Sequence, residues 1–381
     1  MNGKIKRVYA DNAATTIYKY PAAVDAFMTA ALGNPSSTHE EGRKAAEQLE
    51  AARESVANCI GAESGEIYFT SGASESNMIV AKIFGVRGSE AVFSGLEHSS
   101  VTNALNECRV RTAARMLVNE LGIIDTKSLR RDFAVREFKN SELVCVVLAN
   151  SETGVIQPVR DVVEITGKRG FVLCDATQAI GKIPVDVRAL GVDYLTFSSH
   201  KLHAFPGAGV LYIKNGALKP TEYEQENGVR GGTENLPAIR SMAAALRCAS
   251  HRTQMRQRTE RMEELRMKLE RELLCIRGTH INGLRAERVP GITSLTIDGV
   301  FAENLVSLMD YYGVAVSAGT ACSSKNKQHS STLAAMGKSS EYARSTIRIS
   351  IDETTTEEEI DRIASTLRTC IAEYRGGEAD A

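Results

Sequence analysis

The chain is 381 residues long, 43% hydrophobic and 24% charged, a composition that excludes a disordered or fibrous protein. Its 46 Lys and Arg residues balance 47 Asp and Glu to a formal net charge of −1. It therefore lacks the basic excess of a dedicated nucleic-acid binder, and no direct nucleic-acid partner is expected.

The opening MNGKIKRVYADNAATT carries basic residues with no apolar stretch behind them, so no secretory leader is expected. Short apolar runs then alternate with helical patterns. Glu66–Thr70, Ala91–Ser94, Leu143–Ala149, Phe171–Cys174, Tyr194–Ser198 and Val210–Ile213 read as strands. Their near-continuous apolar character suits a parallel sheet buried on both faces. Gly42–Cys59, Ser74–Phe84 and Val159–Lys168 read as intervening helices, which together predict an α/β layered domain. The densest apolar run, Leu143 to Ala149, is far shorter than the roughly 20 residues of a spanning helix, so no membrane partner is expected.

The pattern changes near residue 250. His251–Leu274 reads as a long amphipathic helix with Met255, Met262, Leu265, Leu269 and Leu273 on one face. Ser294–Ile297 and Thr346–Ile351 read as strands. Thr356–Tyr374 reads as a terminal helix with a Thr cap and an acidic first turn. The expected organisation is a large unit, residues 13–250, and a smaller α+β unit made from residues 1–12 and 251–381. The eight cysteines, at 59, 108, 145, 174, 248, 275, 322 and 370, form no CxxC pairs. That spacing fits a reducing, cytoplasmic setting and no metal site.

Three segments sit just after predicted strands, where open parallel sheets hold their ligands. Thr70-Ser71-Gly72-Ala73-Ser74-Glu75-Ser76 is a small-residue turn opening a helix. It can cradle a phosphate on free N–H groups or serve as an ordinary cap. Asp175-Ala176-Thr177-Gln178 follows the strand FVLC, with the acid suited to a ligand or to capping the next helix. Ser198-Ser199-His200-Lys201 follows YLTFS, and its lysine can form a Schiff base or sit in solvent. In combination, a phosphate cradle, an acid and a lysine meet the needs of pyridoxal 5′-phosphate. That cofactor requires a phosphate anchor, an anionic partner for its ring nitrogen and an amine for its aldehyde.

At these residues the chain resembles the cysteine desulfurases of the Nif/Isc type, within the class V, fold-type I pyridoxal phosphate enzymes. The resemblance runs almost end to end. It is carried by DNAATT (11–16), GNPSSTH (33–39), FTSGASES (69–76), EHSSV (97–101), ETGVIQP (152–158), DATQAIGKIPVDV (175–187), SSHK (198–201), RGGT (230–233), SAGTACSS (317–324) and STIRIS (345–350). It implies a large domain whose mostly parallel sheet is sandwiched by helices, with a smaller C-terminal α+β domain bearing a catalytic cysteine loop. The implied reaction takes sulfur from L-cysteine, releases L-alanine and leaves a persulfide on Cys322, for delivery to an acceptor or cluster-scaffold protein. Selenocysteine lyase, another class V lyase or aminotransferase, and a non-catalytic scaffold are the alternatives.

The resemblance also implies roles for single residues. Lys201 would hold the cofactor and move the substrate's Cα proton. Asp175 would pair with the ring nitrogen, and Gln178 would donate to the ring's phenolic oxygen. His98 would stack on the ring and shuttle protons. Ala73, Ser74, Ser198 and His200 would bind the phosphate, joined by Thr233 from the neighbouring subunit of a homodimer. Arg348 would clamp the substrate carboxylate with its guanidinium fork, next to Ser151. Cys322 lies in a small, polar stretch where Lys325 and Lys327 favour the thiolate, unlike Cys145 and Cys174 inside strands.

The sequence departs from the family pattern around the cofactor's edge. Asn150-Ser151 stands where two Asn are usual. Ala204-Phe205-Pro206-Gly207 replaces Gly-Pro-Lys-Gly, Glu222-Tyr223-Glu224 replaces a glycine run, and Arg230-Gly231-Gly232-Thr233 replaces Arg-Ser-Gly-Thr.

Overall fold

The computed structural model describes residues 7–135, 142–319 and 330–376. Among the described residues thirteen strands run in chain order: β1 (Val8–Tyr9), β2 (Ile67–Thr70), β3 (Glu90–Phe93), β4 (Arg111–Arg115), β5 (Glu142–Val147), β6 (Gly170–Asp175), β7 (Tyr194–Ser198), β8 (Gly209–Ile213), β9 (Thr279–Ile281), β10 (Ile292–Ile297), β11 (Val314–Ala315), β12 (Ser317–Ala318) and β13 (Thr346–Ser350).

A seven-stranded sheet in the order β2-β8-β7-β6-β5-β3-β4 forms the centre. All its pairings are parallel except those of β8, which runs antiparallel to both β2 and β7. Strands β2, β5, β7 and β8 are buried along their whole length, as apolar runs covered on both faces must be. Helices Glu40–Ile60 and Leu236–Ser250 pack against each other on one side, with Ile60, Val56, Leu246 and Met242 in the same core as Val146 and Phe197. On the other side Ala73–Val86 and Ser99–Glu107 close over Phe93, Leu143 and Tyr194.

The C-terminal part builds a separate antiparallel sheet, β12-β13-β10-β9. The helix Arg252–Leu274 lays Leu265, Leu269 and Leu273 against it, and Glu357–Tyr374 adds Ile360, Ile363 and Leu367. The terminal helix has the expected cap: Thr356 Oγ1 accepts from Glu359 N, and the Glu359 side chain accepts from Thr356 N. The N-terminal segment crosses to this side. β1 pairs in parallel with β11, and Val8 and Ala10 lie in the second core. Among the described residues, no helix is long and apolar enough to cross a membrane.

The edge strand β4 escaped the reading of the sequence because Arg111–Arg115 (RTAAR) carries no apolar run and is mostly exposed. The helix Leu236–Ser250 escaped it for the opposite reason. It is buried nearly all round, so no polar stripe betrays its period.

Candidate active site

The parallel strands deliver their carboxyl ends to one cleft of about 470 Å3. Ala73, Ser74, His98, Ser151, Asp175, Gln178, Ser198, His200 and Lys201 all line it. Nine sequence-predicted residues thus converge from five separate segments.

The cradle begins where β2 ends. Gly72 caps helix Ala73–Val86, and Gly209 on β8 packs against it so tightly that a Cβ there would lie 2.5 Å from Gly72 Cα. The Ala73 N–H donates to Ser198 Oγ at 2.8 Å. Because that oxygen accepts, the Ser198 hydroxyl proton remains to be offered to another group. A helix N-terminus with hydroxyls beside it suits a phosphate.

Asp175 closes β6 and is buried, with Thr177 N–H donating to its Oδ1 at 2.9 Å. Thr177 also lines the cleft, and its buried hydroxyl has no hydrogen-bond partner. Lys201 ends the tight turn Ser199–Lys201 that follows β7. Ser199 fixes that turn by donating to the Phe205 carbonyl at 2.6 Å. His200 is pushed down to about 4 by burial first and then by Lys201, Lys19 and His98, so its ring is neutral at neutral pH. His98 caps helix Ser99–Glu107: its Nδ1 accepts from Ser100 N–H at 3.1 Å and lies 2.8 Å from Ser100 Oγ. An anion cradle, a buried carboxylate, a lysine amine and an imidazole in one cleft fit pyridoxal 5′-phosphate, and the orphaned Thr177 hydroxyl marks a polar position for it to fill.

Three expected residues are not among those lining the cleft. Arg348 sits on β13, buried, one residue behind it. Its Nη1 donates to the Ser151 carbonyl at 2.9 Å and its Nη2 to Asp11 Oδ1 at 2.9 Å, while buried Nε has no hydrogen-bond partner. Thr233 is exposed and away from the cleft. Cys322, with Lys325 and Lys327, lies outside the described residues. Cys145 and Cys174 are fully enclosed, and burial holds both thiols well above the ordinary range.

The departures from the family pattern have local reasons. Asn150 is occupied in structure: Oδ1 accepts from Glu152 N, Thr153 N and Thr153 Oγ1, and Nδ2 donates to Leu96 O and Thr332 Oγ1. Only Ser151, next to it, faces the cleft. Phe205 packs its ring on Phe27 with centroids 4.4 Å apart. Tyr223 lies over Gly231, where a Cβ would meet its ring at 2.8 Å. An aromatic ring in place of a glycine is thus matched by a glycine in place of a serine.

Sequence reasoning missed two further groups. The Arg53 guanidinium grips Glu226 through two bonds of 2.8 and 3.0 Å, and Glu226 also accepts from Phe69 N at 2.7 Å. This buried pair ties β2 to the segment that leads to Thr233. Glu152, the acid of ETG, accepts from Ser330 Oγ at 2.6 Å. Only spatial neighbours far apart in the chain reveal either role.

An open, mostly parallel sheet with lysine, acid and anion cradle at its carboxyl edge is the architecture of an enzyme that works through a phosphate-bearing cofactor. Residues 8–363 match the aminotransferase class-V family, and the chain belongs to it. It is 33% identical to the cysteine desulfurase IscS of Methanosarcina thermophila over 97% of this chain and 93% of that protein. It is 35% identical to a NifS/IcsS protein homolog of Lactobacillus delbrueckii subsp. bulgaricus, covering 93% of this chain and 94% of the other. A solved NifS-like protein from Rickettsia africae superposes with a TM-score of 0.86 at 29% identity, over 96% of this chain and 99% of that one.

Proposed function

We propose that this protein is a pyridoxal 5′-phosphate-dependent cysteine desulfurase that carries the transferred sulfur as a persulfide on Cys322. The observation that carries the reading is the convergence of Lys201, Asp175, Gln178, His98 and the Ala73–Ser74 turn on one cleft. End-to-end likeness to proteins named cysteine desulfurase supports the choice of reaction within the family.

Ala73, Ser74, Ser198 and His200 would hold the phosphate, Asp175 the ring nitrogen, Gln178 the phenolic oxygen and Lys201 the aldehyde carbon. When bound, the cofactor supplies an electron sink for the charge left at the substrate's Cα. Arg348 binds the substrate carboxylate with its fork, which Ser151 O and Asp11 hold in place. Lys201 would be the base that takes the substrate's Cα proton. His98 is held by Ser100 in an orientation fit to pass protons. The Cys322 thiolate attacks the substrate sulfur. The substrate's C–S bond breaks, an S–S bond forms on Cys322, and the carbon skeleton takes up a proton and leaves as L-alanine. No outside oxidant or reductant is required.

The active form is a homodimer in which Thr233 completes the neighbour's phosphate site. Exposed Ile17, Met28 and Leu32, the last 95% exposed, support an apolar contact with a second copy. Residues 13–250 form the cofactor-binding unit, and 1–12 with 251–381 the unit that carries the cysteine. The setting is cytoplasmic, and an acceptor or cluster-scaffold protein removes the sulfur. The test is alanine release from L-cysteine by the cofactor-loaded protein. Equal alanine release by wild type and Lys201→Ala would overturn the reading.

A further inference from the structure

The segment Asp175–Val187 places a second lysine near the first. Gly181 turns with φ +73°, and a Cβ there would meet Leu202 Cδ1 at 2.3 Å, so only glycine lets the chain pass. The turn brings Lys182 back over Gln178, four residues earlier. Lys182 Nζ donates to Gln178 Oε1 at 2.8 Å, and Gln178 Nε2 donates to the Ala13 carbonyl at 2.8 Å. Ala13 is itself fixed, because its N–H donates to Ser350 Oγ at 2.9 Å.

These contacts settle a question that amide shape alone leaves open. A lysine amine facing a carboxamide donates, and a backbone carbonyl only accepts. The Gln178 oxygen must therefore face Lys182, and its nitrogen must face Ala13. One amide N–H is used on Ala13. Gln178 also lines the cleft, so the second N–H is what it can offer there.

We propose that Lys182 is a positioning residue: it holds the Gln178 carboxamide with its nitrogen, not its oxygen, toward the cofactor's phenolic oxygen. The inference rests on the pyridoxal phosphate reading above and adds to it the residue that sets the donor. Burial first, then Lys201 and Arg348, push the Lys182 amine down to about 7, against Asp352, which raises it. Charged or neutral, its N–H groups still donate to Oε1. Arg258, Glu353 and His203 share with Lys182 and Lys201 the cavity of about 600 Å3 between the two cores.

A donor on the phenolic oxygen withdraws electrons from it and makes the neighbouring cofactor–Lys201 nitrogen a weaker base. Without Lys182 only the Ala13 carbonyl opposes a flip of the amide, so the donor on the phenolic oxygen is present for a smaller share of the time. Both the lost donor and the lost cationic neighbour then raise the affinity of that nitrogen for a proton.

The experiment is a pH titration of the visible absorbance of the cofactor-loaded protein. In Lys182→Met the midpoint should rise by about half a unit or more. Lys182→Arg keeps only donors at that position and should stay near wild type. Lys182→Gln, which can donate or accept, should rise less than Lys182→Met and decides the matter if the Met variant does not fold. An unmoved or lowered midpoint in Lys182→Met, or in Lys182→Gln where that variant stands alone, overturns the inference. A wild-type protein without the absorbance band overturns the cofactor reading as well, so the two failures are distinguishable.

Discussion

Arg348 Nη2 and Asp11 Oδ1 form an ion pair 2.9 Å apart, joining strand β13 to the crossing N-terminal segment across 337 residues of chain. The Arg348 side chain is 7% exposed and that of Asp11 19%. The fork reaches Asp11 and the Ser151 carbonyl at once, which a single ammonium cannot do. Arg348→Lys should therefore lower catalytic efficiency on L-cysteine by at least about tenfold, chiefly through KM. Steady-state kinetics beside the cofactor's absorbance separate this from loss of the cofactor, which should bind as before.

Gly319 sits at the end of β12, with its N–H on the Thr346 carbonyl at 2.9 Å. A Cβ there would lie 2.8 Å from Glu152 Oε1, and Glu152 is fixed on its other oxygen by Ser330. The glycine is required by the carboxylate's approach. Gly319→Ala should cost about 1–2 kcal/mol in denaturant unfolding by overpacking. The cost should largely vanish on a Glu152→Ala background. Simple additivity of the two changes would contradict the contact.

Two groups, Glu97 buried and His200 half-buried, give opposite slopes to the pH dependence of stability. Glu97 is enclosed, and burial followed by the charge of Asp175 pushes it up to about 8. Between about 4.5 and 8 the native state keeps a proton that the unfolded chain has lost, so this group's contribution falls as pH rises. His200, pushed down to about 4, acts at the acid end: the unfolded chain takes up the proton first, and stability falls as pH drops below about 6.5. Glu97→Gln should gain on wild type by on the order of 4 kcal/mol at pH 8 and lose that advantage below about pH 4.5. His200→Asn should flatten the acid side alone. Thermal unfolding across pH 4 to 8 reads both.

Tyr223 and Gly231 depart from the family pattern together, and their contact explains why. Gly231→Ser drives a side chain into the ring and should lower Tm by about one to two degrees, on the order of 1 kcal/mol or more. Adding Tyr223→Gly should restore most of it. If the double variant is no more stable than Gly231→Ser, the two changes are independent.

Much of the site could be read from the chain because its chemistry sits at strand ends, where an apolar run stops at a polar residue. Asp175 after FVLC and Lys201 after YLTFS were visible for that reason. Residues whose meaning lies in a distant partner were not. Nothing near Asp11 announces Arg348, nothing near Arg53 announces Glu226, and Lys182 looks like a surface lysine until Gly181 turns it back over Gln178. The same holds for the fold. β2, β5 and β7 carry their own apolar signal, whereas β1, β11 and β12 are two-residue strands defined only by what they pair with.

The most direct test of the whole account is mass spectrometry of Cys322 after the cofactor-loaded protein meets L-cysteine. The expected result is one added sulfur, about 32 Da, on the peptide bearing Cys322, absent in Lys201→Ala and stoichiometric with the first L-alanine released. Alanine release with no sulfur on Cys322, or undiminished sulfur release in Cys322→Ala, would contradict it.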